Sequence, residues 1–320
     1  MGIPILLFLV GLVLLIKGGD WFVDGATGIA HRFHVPELLI GATVVSVGTT
    51  LPEVMVSATS ALSGHGEIAY GNAIGSIICN TALIAALTIA IRPSTVDKKS
   101  LRTPVLFFFC AAVVYILFAV LTGEFSRFAG LLLLGVFAIY MFTTIRQALK
   151  NKLPQAEDEE VPSGSIVKEL FLLVIGAAAI AVGARLLVDN GTLIAQWLGV
   201  PESVIALTFV ALGTSLPELV TAITALVKGH GALSLGNIIG ANLFNLVLVS
   251  GLSAALMPFP VPASKLLFGM NSSFIVDIPV MLLVMCILTV PALVRGKLSR
   301  TQGFGLLAIY AGFCAYQFMM

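Results

Sequence analysis

The apolar residues of this chain arrive in runs of about 20, the length at which a helix crosses ~30 Å of hydrocarbon. Run length decides the fold class, because lipid leaves every backbone N–H and C=O to be paired within protein. Ten runs can be marked along the 320 residues: 3–30, 37–63, 68–91, 103–121, 127–147, 166–195, 202–227, 232–257, 274–294 and 302–319. Composition agrees. Only 10% of residues are charged and mean hydropathy is +1.07, whereas soluble chains run at about 25% charged residues. The expected fold class is an all-α polytopic membrane protein with no large soluble domain. The net charge of +1 carries no signal of a nucleic-acid partner. Cys79, Cys110, Cys286 and Cys314 all lie in apolar runs, without a pairing pattern that suggests disulfides. Residues 1–16 lack a basic n-region and a small-residue cleavage site, so they read as the start of the first span.

The longest connection, 148–165, is polar and contains two prolines and the acidic run Glu157, Asp158, Glu159, Glu160. It reads as a flexible linker. It divides the chain into 1–147 and 166–320. Lysine and arginine set the orientation. Thirteen of them flank the odd-numbered connections, while Arg127 and Lys265 lie on the side of the termini. Cytoplasmic loops carry the excess of positive residues. Both termini are therefore expected outside and the linker in the cytoplasm.

The two parts repeat each other. From Gly11 to Asn80, each residue has a counterpart 165 positions later, without a gap, and 27 of the 70 pairs are identical. Each copy holds five spans. An odd number sends the second copy into the membrane from the opposite face. The expectation is a 5+5 inverted-topology repeat, an architecture of secondary transporters that places the site near mid-membrane between the halves.

The polar motifs fall inside the apolar runs. Residues 48–53 read GTTLPE and residues 213–218 read GTSLPE. Pro52 and Pro217 cannot donate backbone hydrogen bonds, and their rings clash with the carbonyls of residues 48 and 213. Spans 2 and 7 are expected to break near their middles and to free carbonyl oxygens there. Glu53 and Glu218 sit at the same depth. A charged side chain at a helix centre costs about 2.5–3.5 kcal/mol or more, which marks a functional site by default. Thr49, Thr50, Thr214 and Ser215 add hydroxyls one turn away. Spans 3 and 8 carry GNAIGSIICN (71–80) and GNIIGANLFN (236–245). Their Gly71/Gly75 and Gly236/Gly240 pairs are expected to form small-residue faces for close helix approach. Asn80 and Asn245 offer amide oxygens and Ser76 a hydroxyl; helix–helix glue is the lesser reading of the two asparagines. Asp24 and Asp189 read as structural, and Asp277 as interfacial. The inventory is oxygen only, which suits a hard cation such as Ca²⁺ with its six to eight oxygen ligands. The four histidines fall in loops or at interfaces, so a soft-metal site is not expected.

These paired GTTLPE/GTSLPE and GNAIG/GNIIG segments resemble the two alpha repeats of the calcium/cation antiporter superfamily, above all its Na⁺/Ca²⁺ exchanger branch of bacterial and archaeal type. The resemblance covers nearly the whole chain. It implies that spans 2, 3, 7 and 8 form the ion-binding core, with four adjacent cation sites in a diamond. Glu53 and Glu218 would be the shared acidic ligands. Thr49 and Thr214 would join them, with Thr50, Ser215, Ser76, Asn80 and Asn245 around them and the carbonyls of Ser46 and Ala211 as freed ligands. The long first helix of each repeat would slide as a gate. It also implies an integral, multi-pass protein of the cell inner membrane. Two departures stand out: both Asn80 and Asn245 are amides where many exchangers carry one aspartate, and Ala241 replaces the serine matching Ser76.

Two functional readings follow. One is a Ca²⁺/Na⁺ antiporter working by alternating access, because both ions need the same glutamates. The alternative is a Ca²⁺/H⁺ antiporter, because two carboxylates in one dry site can take up protons instead. An enzyme is not expected, since no nucleophile–base pair or metal–His motif lies in the spans. A channel fits poorly with pseudo-symmetric repeats. The implied partners are the ions and membrane lipid. No organic cofactor and no protein partner is called for, and a monomer suffices.

Overall fold

Thirty-two residues of unbroken helix open the chain, longer than the ~20 a bilayer core requires. The structure is a computed structural model and describes residues 2–150, 165–199, 213–263, 266–267 and 269–319. Its helices are α1 Gly2–Phe33, α2 Glu37–Leu62, α3 Gly66–Ile91, α4 Lys98–Thr122, α5 Arg127–Lys150, α6 Ile166–Trp197, α7 Leu216–Val227, α8 Gly231–Leu256, α9 Ser273–Arg295 and α10 Arg300–Met319. Among the described residues, eight are long and apolar enough to cross a membrane. α7 is a shorter apolar helix, and the expected start of its span, 202–212, lies outside the described residues. α10 is helical for 20 residues. Most of the 148–165 linker, including its acidic run, also lies outside them.

The two 32-residue helices, α1 and α6, lie antiparallel along each other. Glycines at seven-residue intervals allow this. Gly11 faces Gly183, Gly18 faces Gly176 and Ala179, and Gly25 faces the backbone of Leu173. A Cβ on Gly25 would stand 2.6 Å from the Leu173 nitrogen, so only glycine permits the approach. One end of the pair is closed by a bidentate ion pair. Arg32 Nε donates to Glu169 Oε2 at 2.8 Å and Arg32 Nη2 to Glu169 Oε1 at 2.7 Å.

Burial separates inner from outer helices. In α8, 83% of the most apolar stretch is buried, in α3 72% and in α2 56%, while in the other membrane-length helices the share is at most 39%. The two glycine faces expected on α3 and α8 behave differently. Gly236 and Gly240 press onto the backbone of Leu38 and Ala42 in α2, as expected. Around Gly71 and Gly75 nothing lies within 4 Å among the described residues, so those two make no close helix contact there.

Loops repeat with the same offset. Gly64 and Gly229 both take left-handed φ values, +82° and +91°, and end α2 and α7. A residue with a Cβ is strained there. Short antiparallel pairs tie the loops together: β1 Glu124–Phe125 lies against β2 Phe259–Pro260, and β3 Leu266–Leu267 against β4 Met270–Asn271.

Candidate functional site

The expected break in span 2 lies elsewhere in the structure. Residues Ser46–Leu62 form continuous α-helix through Pro52. The irregular turn is upstream, a π-helical stretch over Gly41–Val45. The wide π turn supplies the backbone adjustment that Pro52 was expected to force at Gly48. Its loosened carbonyls find side-chain donors. Tyr140 Oη donates to the Ala42 carbonyl at 2.7 Å, and Ser46 Oγ lies 2.8 Å from the Gly41 carbonyl. Span 7 differs. Thr214 and Ser215 form a turn, and α7 starts at Leu216 with Pro217 in its first turn, where a missing N–H costs nothing. Glu218 thus sits at a helix N-terminus, where negative charge is favoured.

Two further π-helical stretches begin at the asparagines singled out in the sequence. They run Asn80–Ala85 in α3 and Asn245–Val249 in α8, and their first residues are related by the 165-residue offset. π turns inside α-helices recur at functional sites. Alternation of apolar and polar residues does not reveal them, because one extra residue per turn leaves hydropathy unchanged.

Three of the sequence-derived site residues, Glu53, Glu218 and Thr49, come together. Glu53 faces Glu218 closely enough for their charges to interact, and Thr49 lies beside Glu218. Glu53, Glu218, Thr50, Asn80, Asn245 and Ser46 are fully buried, and Thr49, Ser215 and Ser76 nearly so. Thr214 is half-buried. The Ala211 carbonyl lies outside the described residues. Among the described residues, both oxygens of Glu53 and of Glu218 lack a hydrogen-bond partner, as do the amide groups of Asn80 and Asn245 and the hydroxyls of Thr50 and Ser215. None of the ion pairs among the described residues involves either glutamate. Buried carboxylates without a partner carry a large desolvation cost.

Sequence reasoning missed two residues that organise this cluster. Asn237 Oδ1 accepts from Thr49 Oγ1 at 3.1 Å, and Asn72 Oδ1 accepts from Thr214 Oγ1 at 3.2 Å. Asn72 also donates to Ser57 Oγ and to the Glu53 carbonyl. The signal was present, since both asparagines stand in the GNAIG and GNIIG motifs. Thr221 Oγ1, one turn beyond Glu218, is also fully buried and unpaired. The aspartates outside the cluster have local partners. Asp24 pairs with Lys228 at 2.7 Å, and Asp189 with Arg185 at 3.6 Å. One flank of the cluster opens to an apolar cavity of about 1110 Å³ that reaches Gly48, Pro52, Thr214 and Pro217 from the side of α6.

A family model described as sodium/calcium exchanger protein matches residues 3–146 and 168–319. Sodium/calcium exchanger MaX1 of Methanosarcina acetivorans is 31% identical over 350 residues, covering 98% of each chain. The inner membrane protein YrbG of Escherichia coli is 37% identical, covering 79% of each. The solved structure of the sodium-calcium exchanger NCX_Mj soaked with 2.5 mM Na⁺ and 0.1 mM Ca²⁺ superposes with a TM-score of 0.82 at 33% identity, over 98% of both chains.

Proposed function

This chain belongs to the sodium/calcium exchanger family and is an integral, multi-pass membrane protein, and on that premise we propose that it exchanges Ca²⁺ for Na⁺ by alternating access at the Glu53–Glu218 cluster. The observation that carries this reading is the set of orphaned oxygens. Four carboxylate oxygens, two amides and two hydroxyls are buried without protein partners among the described residues. Two carboxylates balance one Ca²⁺, and Ca²⁺ takes six to eight oxygens of these types. The same oxygens serve Na⁺, so the ions exclude each other. An empty cluster would resist occlusion because its charges would be buried unpaired. Exclusion together with resistance to empty transit yields antiport.

The ligand set proposed is Glu53, Glu218, Thr49, Thr214, Thr50, Ser215, Ser76, Asn80 and Asn245, with the carbonyls of Ser46 and Ala211. Among the described residues, the side chains of Asn80 and Asn245 make no helix–helix hydrogen bond, which favours a ligand role over glue. The framework proposed is ten spans in two inverted five-helix repeats, 1–147 and 166–320, joined by a cytoplasmic 148–165 linker. Spans 2, 3, 7 and 8 form the core. The family model matches two segments separated at that linker, which supports the division. Both termini face outward from the inner membrane, and a monomer is sufficient.

The test is ⁴⁵Ca²⁺ uptake into proteoliposomes loaded with Na⁺ at matched pH, beside a set with only a proton gradient. Uptake driven by internal Na⁺ is expected. Uptake driven by protons alone would replace this reading with Ca²⁺/H⁺ antiport.

A further inference from the structure

Two short loops meet at one end of the bundle, the α3–α4 loop over 92–97 and the α9–α10 loop over 296–299. They pair backbone to backbone. Val96 N donates to the Gly296 carbonyl and Leu298 N to the Ser94 carbonyl, both at 2.9 Å, and Thr95 stands opposite Lys297 in an antiparallel bridge. Side chains alternate between the two faces of such a pair. Leu298 is buried, so Lys297 and Thr95 point outward, and both are exposed. Four helices end or begin within a few residues of the bridge, which puts it at the edge of the hydrocarbon.

Residues 92–102 and 295–300 hold seven basic side chains and one acid, Asp97. Asp97 is occupied as the cap of α4, where it accepts from the Lys99 and Ser100 amides. Lys98 and Arg300 fasten helix ends. Lys98 Nζ donates to the Val294 carbonyl at 2.7 Å, and Arg300 Nη2 to the Ile91 carbonyl at 3.5 Å. The exposed side chains of Arg102, Arg295 and Lys297 make no ion pair among the described residues. Positive residues set orientation wherever they lie on a connection, but here backbone pairing gathers them around one bridge. Cations at the start of α4 also run against its dipole, and its first turn has no acid. An anion between the loops relieves both the mutual repulsion and the dipole.

Exposed apolar surface lies directly behind these cations. Lys98, Arg102 and Leu106 follow one another at four-residue spacing and share a stripe of α4. Val294 precedes Arg295, and Lys98 reaches its carbonyl, so Val294 neighbours the start of that stripe. Leu106 and Val294 are both exposed. The surface is therefore complementary to an amphiphile with a negative head.

We propose that the paired loops bind an anionic phospholipid, with the phosphate held by Arg102, Arg295 and Lys297 and an acyl chain lying on Leu106 and Val294. A guanidinium takes phosphate oxygens two at a time, and basic pockets between spans bind anionic headgroups. Free phosphate would use the cations but leave the apolar stripe uncovered. The site rests on the membrane class of the chain and not on its ion chemistry, so loss of either reading leaves the other standing.

Native mass spectrometry of the purified full chain in Ca²⁺-free detergent solution tests this, with phosphatidylglycerol and phosphatidylcholine titrated separately. Wild type is expected to hold phosphatidylglycerol about tenfold or more tighter than phosphatidylcholine. Arg102→Gln/Arg295→Gln/Lys297→Gln should lower that affinity about tenfold or more. Arg295→Gln alone should lower it about fivefold, which keeps the test open if the triple variant melts early. Lys168→Gln, which removes an exposed cation at the start of α6, should leave it unchanged. Inorganic phosphate should not displace the lipid. Equal retention of the two lipids, an affinity that ignores Arg295→Gln, an equal loss in Lys168→Gln, or displacement by inorganic phosphate overturns the proposal.

Discussion

The Thr49 hydroxyl donates to the Asn237 side-chain oxygen at 3.1 Å, joining α2 of the first repeat to α8 of the second. Its counterpart, Thr214 to Asn72 at 3.2 Å, runs the other way between the repeats. Each bond holds a threonine hydroxyl against an asparagine of the other repeat, and the donating oxygen keeps its lone pairs. Thr49→Val keeps the shape and removes the donor. Among the described residues, Asn237 Oδ1 then has only Ser46 Oγ within reach, at 3.3 Å, and the single proton of that hydroxyl lies nearer the Gly41 carbonyl, at 2.8 Å. The expected cost is about 1–3 kcal/mol, read as a lower melting temperature in ion-free detergent solution and weaker Ca²⁺ binding. Thr49→Ser restores both. A Thr49→Val protein with wild-type affinity would show that this bond is dispensable to the site.

The glutamates invert the usual sign of a damaging substitution. Glu53→Gln or Glu218→Gln removes a buried carboxylate that has no hydrogen-bond partner among the described residues. In ion-free buffer the variants should melt above wild type, because a desolvated charge is gone. Calcium should reverse the order. At 100 times Kd a ligand stabilises its protein by about 2.7 kcal/mol, and the variants should gain nothing. Transport should be lost in both. Wild-type-like uptake by either variant removes the central claim.

Glycine positions should respond in opposite directions. A Cβ on Gly240 would stand 2.6 Å from the Ala42 Cα, and backbone cannot yield as a side chain can. Gly240→Ala should cost about 1–3 kcal/mol through overpacking and push α8 away from α2. Gly135, in α5, has nothing within 4 Å of a Cβ among the described residues. Gly135→Ala should stabilise by about 0.5–1 kcal/mol through lower unfolded-chain entropy. Thermal unfolding of the two variants in the same detergent measures both signs.

Acid should loosen the start of α4. Asp97 caps it, accepting from the amides of Lys99 and Ser100 at 3.1 Å each and from the Ser100 hydroxyl at 2.5 Å. Burial pushes its carboxyl up, but the Ser100 hydroxyl, the two amides and the Lys99 charge outweigh that and hold it below the ordinary carboxylate range. A depressed value means the contribution is present above the unfolded pKa of about 3.9 and fades as pH falls through the lower folded value. Asp97→Ala should cost about 1 kcal/mol at neutral pH. Its deficit against wild type should shrink as the pH is lowered below 4. A deficit that stays constant with pH would mean the carboxylate charge plays no part in the cap.

Local rules were enough for much of this molecule. Lipid-length apolar runs, the 165-residue offset, and prolines and glutamates inside those runs are properties of the chain alone. Partition into a bilayer depends on residue type and run length, so the sequence determined the helical membrane class and marked Glu53 and Glu218. What it could not determine was which copy of each repeated feature meets which distant backbone. GTTLPE and GTSLPE are nearly the same, yet Pro52 lies inside continuous helix while Pro217 opens a new one. Gly236 and Gly240 touch α2, while Gly71 and Gly75 line a cavity. The crossed Thr–Asn bonds join residues of different repeats and so exist only when the two repeats pack together. Duplication gives both copies the same local preferences, but each copy packs against different neighbours. Tertiary contact therefore decides which polar atoms find partners and which are left without one among the described residues.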